Sequence, residues 1–154
     1  MSDKPAKAAR KVETLGWREL VDLPELDLFG ITAKIDTGAR SSSLHVDRLK
    51  HYRDEDGGLR AAITLHMQGE RRGVRKLDLP IKEFREVKSS NGAVEKRAVI
   101  RTRVKLGERS FLRDFTLTNR AGMRYPILIG RTGLRRVFLV NAAESYLLGH
   151  PARK

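Results

Sequence analysis

The sequence predicts an all-β fold. Several segments alternate apolar and polar residues with the two-residue period of a strand, turn-forming residues separate them, and one short continuous apolar run is typical of a fully buried strand. The clearest alternation spans residues 94–106, the strongest hairpin turn is residues 89–92, and the apolar run is residues 127–129. The middle of the chain is therefore predicted to be a run of antiparallel hairpins.

Size and composition indicate one folded unit. The 154 residues are 40% hydrophobic, enough for one domain with a real core. The absence of cysteine excludes disulfides, zinc–thiolate sites and cysteine nucleophiles. Residues 1–11 are polar and basic, without the apolar core of a signal peptide, and no run has the length of a membrane span. We expect a soluble, cytoplasmic protein without membrane association, with a single domain at 13–150 between a flexible basic tail, 1–12, and a C-terminal tail, 151–154.

The charge favours acidic partners. The formal net charge is +13 and the pI is near 10.6, which suits nucleic acid, ribosomes, anionic lipid or acidic peptides. A solvated basic surface that only keeps the protein in solution is the alternative. Because aromatic residues make up only 6% of the chain, a base-stacking platform is disfavoured. Nucleic-acid binding is therefore expected at most as an accessory property.

Taken in order, the elements follow from periodicity and turn residues. Residues 44–49 fit either a strand or irregular structure, and 74–88 form an extended segment interrupted at Pro80. The apolar strands 138–140 and 146–148 are candidates for pairing with another chain, and Trp17 is expected in the core or an interface. The remaining strands are predicted at 15–21, 26–29, 31–35, 59–67, 94–106, 111–118 and 127–129, with about two helical turns over 131–137.

The stretch 31–44 is the most informative. Apolar residues alternate up to Ile35, and the next residue, Asp36, enters a turn of small residues. A carboxylate at the end of a buried strand is costly unless it is paired or hydrogen-bonded, so the position is a candidate for chemistry. Taken alone, an Asp-Thr-Gly sequence indicates an ordinary turn more often than a catalytic site. His45 lies nearby, but a lone histidine beside a turn is more often solvent-exposed than catalytic.

Three segments together resemble one family. They are Leu-Gly-Trp-Arg-Glu at 15–19, Ala-Lys-Ile-Asp-Thr-Gly-Ala-Arg at 33–40, and Tyr-Pro-Ile-Leu-Ile-Gly-Arg at 125–131. Their order resembles the retropepsin-like aspartic proteases and, more closely, the bacterial family labelled ATP-dependent zinc proteases. That label does not suit these residues, because there is no His-Glu-x-x-His motif and no Walker-type loop, and the four histidines are scattered. We therefore predict no metal and no cofactor.

The resemblance implies a closed antiparallel barrel with one short C-terminal helix after the Gly-Arg segment. It also implies that Asp36 is a catalytic carboxylate. Since the chain has one Asp-Thr-Gly, two copies of Asp36 must meet in a homodimer. Thr37 resembles the residue that ties the two active-site loops together, Gly38 the glycine whose amide steadies the carboxylate, and Ala39 a residue lining the cleft.

Two further segments take roles from the resemblance. The flap that closes over substrate corresponds to Ser89, Ser90, Asn91 and Gly92, and Gly130 and Arg131 correspond to structural support. One departure concerns Arg40, because many retropepsins have an acid there that pairs with the arginine of the Gly-Arg. Arg131 is therefore expected to have another partner.

These observations lead to three hypotheses about function. The first is an aspartic endopeptidase acting on peptides or proteins; cations near the flap, Lys88, Lys96 and Arg97, would favour acidic ones. The second is a catalytically silent module that binds acidic tails or a glutamate-ligase partner, since members of the resembling family occur beside ribosomal-protein glutamate ligases. The third is a basic barrel associated with RNA or the ribosome.

Overall fold

The computed structural model describes residues 12–67, 73–88, 91–119, 124–134 and 136–149. The predicted all-β class is confirmed. The predicted tails lie outside the described residues except for Val12. The strands, in chain order, are β1 (Glu13–Gly16), β2 (Arg18–Leu23), β3 (Leu28–Ile35), β4 (Ser42–His45), β5 (Arg48–Arg53), β6 (Leu59–Met67), β7 (Gly73–Pro80), β8 (Glu83–Lys88), β9 (Val94–Leu106), β10 (Arg109–Thr118), β11 (Ile127–Ile129) and β12 (Phe138–Asn141).

Six strands close into a barrel, as the resemblance implied, but the barrel is not wholly antiparallel, because the β10–β4 and β11–β3 pairs are parallel. Their order is β10-β4-β11-β3-β2-β9, and β9 pairs with β10 to complete the ring. Closure leaves no open edge within the ring. The 13 residues of β9 are enough to pair with β8 near its start and with β10 near its end. As a result, the β8–β9 hairpin extends beyond the ring.

The short apolar strand β11 organises one end of the barrel. It lies between β3 and β4, parallel to β3 and antiparallel to β4. Ile127 and Ile129 are buried, as expected for a continuous apolar run inside a sheet. Because β3 and β4 are consecutive in the chain but separated in space by β11, the loop that joins them must pass over the end of β11. Asp36 lies on that loop.

A second sheet of three strands, β5-β6-β7, lies outside the ring. Its inner face supplies Ala61, Ile63 and Leu65 to the same hydrophobic core as the barrel. The residues that alternate with these along β6, Ala62 and Thr64, face away from the core, as do their partners on β5 and β7. The region predicted as strand or irregular, 44–49, is divided between the end of β4 and the start of β5.

The third sheet pairs β1 with β12 in parallel. The predicted strand 138–140 is thus confirmed as β12, paired within its own chain, but the predicted strand 146–148 is wrong. There Tyr146 has a positive φ of 55°, and the buried Glu19 carboxylate accepts the amides of Leu147 and Leu148 at 2.9 and 3.1 Å. Because a side chain takes these amides, they are not available for a ladder.

Helical structure is almost absent from the described residues. The short helix predicted after the Gly-Arg is a single 3-10 turn, Arg131–Gly133, shorter than the predicted two turns. Arg136 has φ 68°, which a right-handed helix cannot include. A second 3-10 turn, Pro24–Leu26, precedes β3. No helix in the described part of the chain combines the length and the apolarity needed to span a membrane.

Candidate functional site: the loop that carries Asp36

The loop after β3 is tied to β11 from its first residue. The amide of Asp36 donates to the carbonyl oxygen of Ile129 at 2.9 Å, which continues the β3–β11 pairing into the loop. Asp36 is half-buried, and its Oδ1 accepts the amide of Gly38 at 2.9 Å. The structure therefore brings Asp36 and Gly38 into direct contact.

The segment after β11 holds the rest of this loop. Arg131 donates its amide to Ala39 at 2.8 Å, and Thr132 donates both its amide and its hydroxyl to the carbonyl of Arg40. Arg131 also donates from Nη1 to the carbonyl of Thr37 at 3.0 Å. The partner that the sequence left open for Arg131 is thus a backbone carbonyl of the Asp36 loop.

Gly130 allows the two segments to approach closely. A Cβ at this position would lie 2.5 Å from the carbonyl oxygen of Ser41 and 2.9 Å from that of Ala39. Both neighbours are backbone atoms, which cannot rotate away. Gly130 and Arg131 are therefore brought together with residues 36–41 on one structural unit.

Sequence reasoning missed Ser42. Its hydroxyl accepts the amide of Gly130 at 3.1 Å, and its carbonyl accepts the Thr116 hydroxyl at 3.3 Å. Ser42 is 2% exposed, so these contacts satisfy polar groups that would otherwise be buried without partners. The sequence feature that could have indicated Ser42 is the run of three serines at 41–43, which was interpreted only as a run of small side chains.

The electrostatic surroundings of Asp36 are open. Within the part of the chain that the structure describes, no cation forms an ion pair with its carboxylate, and Thr37 and Gly38 beside it are exposed. Arg40 is exposed as well. Because no described cation pairs with this half-buried carboxylate, it can interact with a group from another molecule.

The predicted flap is partly described. Ser89 and Ser90 lie outside the described residues, whereas Asn91 and Gly92 are exposed between β8 and β9, with Gly92 at φ 89°. This positive φ fits the hairpin turn predicted from the sequence.

The cations near the flap differ in their availability. Lys88 and Lys96 are exposed, and the Lys96 ammonium lies 5.6 Å from the centre of the Phe84 ring. Arg97 is only 9% exposed and pairs with Glu95 at 2.9 Å. Of the three cations expected to favour acidic peptides, Arg97 is therefore already paired within the chain.

His45 and Trp17 belong to other contacts. His45 Nε2 lies 3.4 Å from Asp47 Oδ1, so the histidine faces a different carboxylate from Asp36. Trp17 is half-buried, packs edge-on against Tyr125 at 6.0 Å, and lies under the guanidinium of Arg18. Among the described residues, no group of three or more histidine and acidic side chains is arranged to hold a metal ion.

Curated proteins with sequences similar to this chain share one name. Residues similar to this chain occur in probable alpha-L-glutamate ligases of Shewanella halifaxensis, 35% identical over 136 residues, and Desulfotalea psychrophila, 31% identical over 147 residues. These matches cover 88% and 95% of this chain but only 30% and 31% of those proteins. The chain thus spans about a third of the length of these relatives.

A solved structure and a family description complete the comparison. A Legionella pneumophila protein of unknown function, Lpg0085, superposes with a TM-score of 0.73 and 26% identity, over 90% of this chain and 99% of that one. The family described as RimB-like, retropepsin-like aspartic endopeptidase RimB, matches residues 14–151. The chain therefore belongs to the RimB-like family of retropepsin-like aspartic endopeptidases.

Proposed function

We propose that this protein is a homodimeric aspartic endopeptidase in which each protomer contributes Asp36. The observation that carries the proposal is the Asp36 carboxylate, steadied by the Gly38 amide and without a cationic partner among the described residues. The family description supports it. Since the chain contains one Asp-Thr-Gly, a single protomer supplies half of the site.

The chemistry of a paired site follows from electrostatics. Two carboxylates about 3 Å apart cannot both ionise, so they share one proton and titrate as a unit. The ionised carboxylate takes a proton from water while the other donates a hydrogen bond to the scissile carbonyl. The water oxygen bonds to the carbonyl carbon, the C–N bond then breaks, and the leaving nitrogen receives the proton that the ionised carboxylate took from the water.

The neighbouring residues take supporting roles in this proposal. Thr37 links the two loops across the twofold axis, Ala39 lines the cleft, and the turn at Ser89, Ser90, Asn91 and Gly92 covers substrate and excludes water. Gly130 and Arg131 keep the loop in position. No metal or cofactor takes part in the proposed reaction.

We further propose that the substrate is an acidic peptide and that the protein works with a glutamate ligase. The relatives named probable alpha-L-glutamate ligases support this, as do the exposed cations Arg40, Lys88 and Lys96. The proposed location is the cytoplasm, where an association with the ribosome is compatible with the net charge of +13.

The deciding experiment compares Asp36→Asn with the parent protein. Acidic peptides, including oligoglutamates, are incubated with each protein from mildly acid to neutral pH, and the products are identified by mass spectrometry. Asp36→Asn should abolish cleavage while the fold persists. Asp56→Asn, in the exposed turn before β6, is the matched control and should cleave normally. Cleavage by Asp36→Asn at the parental rate would rule out this mechanism.

A second candidate is a catalytically silent module that binds peptides. The relatives favour it, because the segment matching this chain is a minor part of proteins named for ligation, not hydrolysis. The same incubation separates the candidates. Binding of acidic peptides without products, unchanged by Asp36→Asn, would support the module.

A further inference from the structure

The outer face of the β5-β6-β7 sheet concentrates cations around small residues. Pairing places Arg48, Thr64 and Lys76 in one row across the sheet. The next row on the same face contains Lys50, Ala62 and Asp78. A groove of about 710 Å³ lies at this position. Its central strand contributes short side chains, and its two outer strands contribute long cationic ones.

The two carboxylates at the groove are already engaged within the protein. Asp78 accepts from the Tyr52 hydroxyl and from Arg60, and these contacts lower the pKa of its carboxyl. Asp47 accepts the amide of His66 at 2.6 Å, and its Oδ2 lies 2.9 Å from His66 Nδ1. Partial burial acts to raise the pKa of Asp47, but the contacts with His66 outweigh it and lower the pKa. Within the described ranges, neither carboxylate forms an ion pair with Arg48, Lys50 or Lys76.

The cations of the groove remain available. Arg48, Lys50 and Lys76 are exposed, and within the described ranges none of them forms an ion pair or a side-chain hydrogen bond. By contrast, other cations of the chain are engaged, such as Lys82 and Arg101 with Asp114. The groove therefore presents unneutralised positive charge to solvent.

We propose that this groove is a docking site for an acidic peptide segment in an extended conformation, separate from the Asp36 loop. Alternate side chains of an extended peptide lie about 7 Å apart, which is also the spacing of Arg48 and Lys50 along β5. Lys76 lies two strands away, about 10 Å across the floor of Ala62 and Thr64. The cations thus lie on both sides of a groove whose floor is wide enough for one extended peptide chain. This proposal rests on the proposed function: the acidic substrate would contact the protein at this groove as well as at the Asp36 loop.

A peptide fits this surface better than single-stranded nucleic acid. Binding of bases without sequence preference relies on exposed aromatic rings. Among the described residues, two rings lie on the outer face of this sheet: the Tyr52 hydroxyl is held by Asp78, and His66 Nδ1 lies 2.9 Å from Asp47 Oδ2. The floor itself, Ala62 and Thr64, offers no ring for stacking.

The test is direct binding of a fluorescein-labelled octaglutamate, measured by anisotropy on the Asp36→Asn protein so that no cleavage interferes. Lys76→Glu should weaken binding about tenfold, because it places a like charge against the ligand. Lys105→Glu, an exposed lysine on β9, makes the same change in net charge outside the groove and should alter the affinity less than about twofold. Lys50→Gln provides a milder second variant and should weaken binding in the same direction.

Failure of the docking site can be distinguished from absence of the proposed peptidase activity. If the parent protein cleaves, Lys76→Glu should raise KM and leave kcat unchanged, whereas absence of cleavage leaves the binding assay intact. Equal losses for Lys76→Glu and Lys105→Glu would overturn the docking site in favour of diffuse attraction. Tighter binding of a labelled single-stranded RNA, lost on Lys76→Glu, would overturn the peptide as occupant.

Discussion

The guanidinium of Arg131 donates a 3.0 Å hydrogen bond to the carbonyl of Thr37, the residue directly after Asp36. The amide of Arg131 also donates to Ala39, so one residue holds the loop on both sides of Gly38. This arrangement explains how the loop is supported although position 40 carries an arginine and not an acid. The arginine serves the backbone of the loop.

Loss of this guanidinium should weaken the loop but not the barrel. Arg131→Met keeps the length of the side chain and removes its donors, so the free energy of unfolding should fall by about 1 kcal/mol. Denaturant titration measures this fall. Arg136→Met, an exposed arginine further along the same segment, should change stability by less than about 0.5 kcal/mol. Equal losses in the two variants would contradict the role given to Arg131.

Alanine substitutions at two glycines distinguish the cost of a close backbone contact from the cost of a strained backbone conformation. Gly130 has φ −89°, so Gly130→Ala should destabilise only through its contact with the carbonyls of Ser41 and Ala39, by about 2–3 kcal/mol. Gly30 has φ 64° and open space around it, so Gly30→Ala should cost only the left-handed strain, about 1 kcal/mol. Thermal unfolding of both variants tests the order. A smaller loss for Gly130→Ala would mean that the loop can move away from β11.

The buried carboxylate of Glu19 should anchor the segment after β12. It accepts amides from Gly16, Leu147 and Leu148. Glu19→Gln replaces one acceptor oxygen with an NH₂ group that faces these donors, so a loss of about 2 kcal/mol is expected. Amide hydrogen exchange at Leu147 and Leu148 should accelerate. The exposed Glu144→Gln provides the control, and unchanged exchange in Glu19→Gln would contradict the anchoring role.

Asp114 should make stability depend on pH. It contacts Lys82 at 2.7 Å, Arg101 at 3.1 Å and Arg85 at 3.6 Å, and thereby connects the β8–β9 hairpin to β10. Burial acts to raise the pKa of Asp114, but the contacts with Lys82 and Arg101 outweigh it and lower the pKa from 3.8. Because the folded state favours the ionised form, this stabilisation is present above pH 3.8 and is lost as pH falls through the folded-state pKa.

Asp114→Asn should accordingly cost about 1–2 kcal/mol at neutral pH and progressively less below pH 3.8. Urea titrations at several pH values, with Asp56→Asn as the control, measure the difference. A constant difference between Asp114→Asn and the parent across this range would show that the cations do not act through the charge of Asp114.

The exposed edge of β12 is the expected dimer contact. In the described part of the chain β12 pairs with β1 alone, and its Leu139 is 62% exposed. If the proposed dimer forms through this strand, Leu139→Glu should weaken association at least tenfold by burying a charge at the interface. Analytical ultracentrifugation measures this effect. Leu112→Glu, on an exposed position of β10, should leave the dimer intact, and a parent protein that remains monomeric would contradict the model of the site.

Local patterns were sufficient for much of the fold. Period-two alternation located the long strand β9, the apolar run located β11, and the turn residues located the β8–β9 hairpin, because each depends on neighbours in the chain. Asp36, Gly38 and the Gly130–Arg131 pair could be singled out for a different reason, because three separate segments together resemble one family. Their spacing in the sequence carries the family pattern.

Other features depended on contacts between distant segments. The amides of Leu147 and Leu148 are taken by Glu19, more than a hundred residues earlier, so an apolar sequence typical of a strand becomes irregular. The support of Gly130 by Ser42, the partner of Arg131, and the alignment of Arg48, Lys50 and Lys76 on one sheet face likewise follow from strand register. Register is set by packing across the whole barrel and its added sheet, so only the tertiary structure decided these relationships.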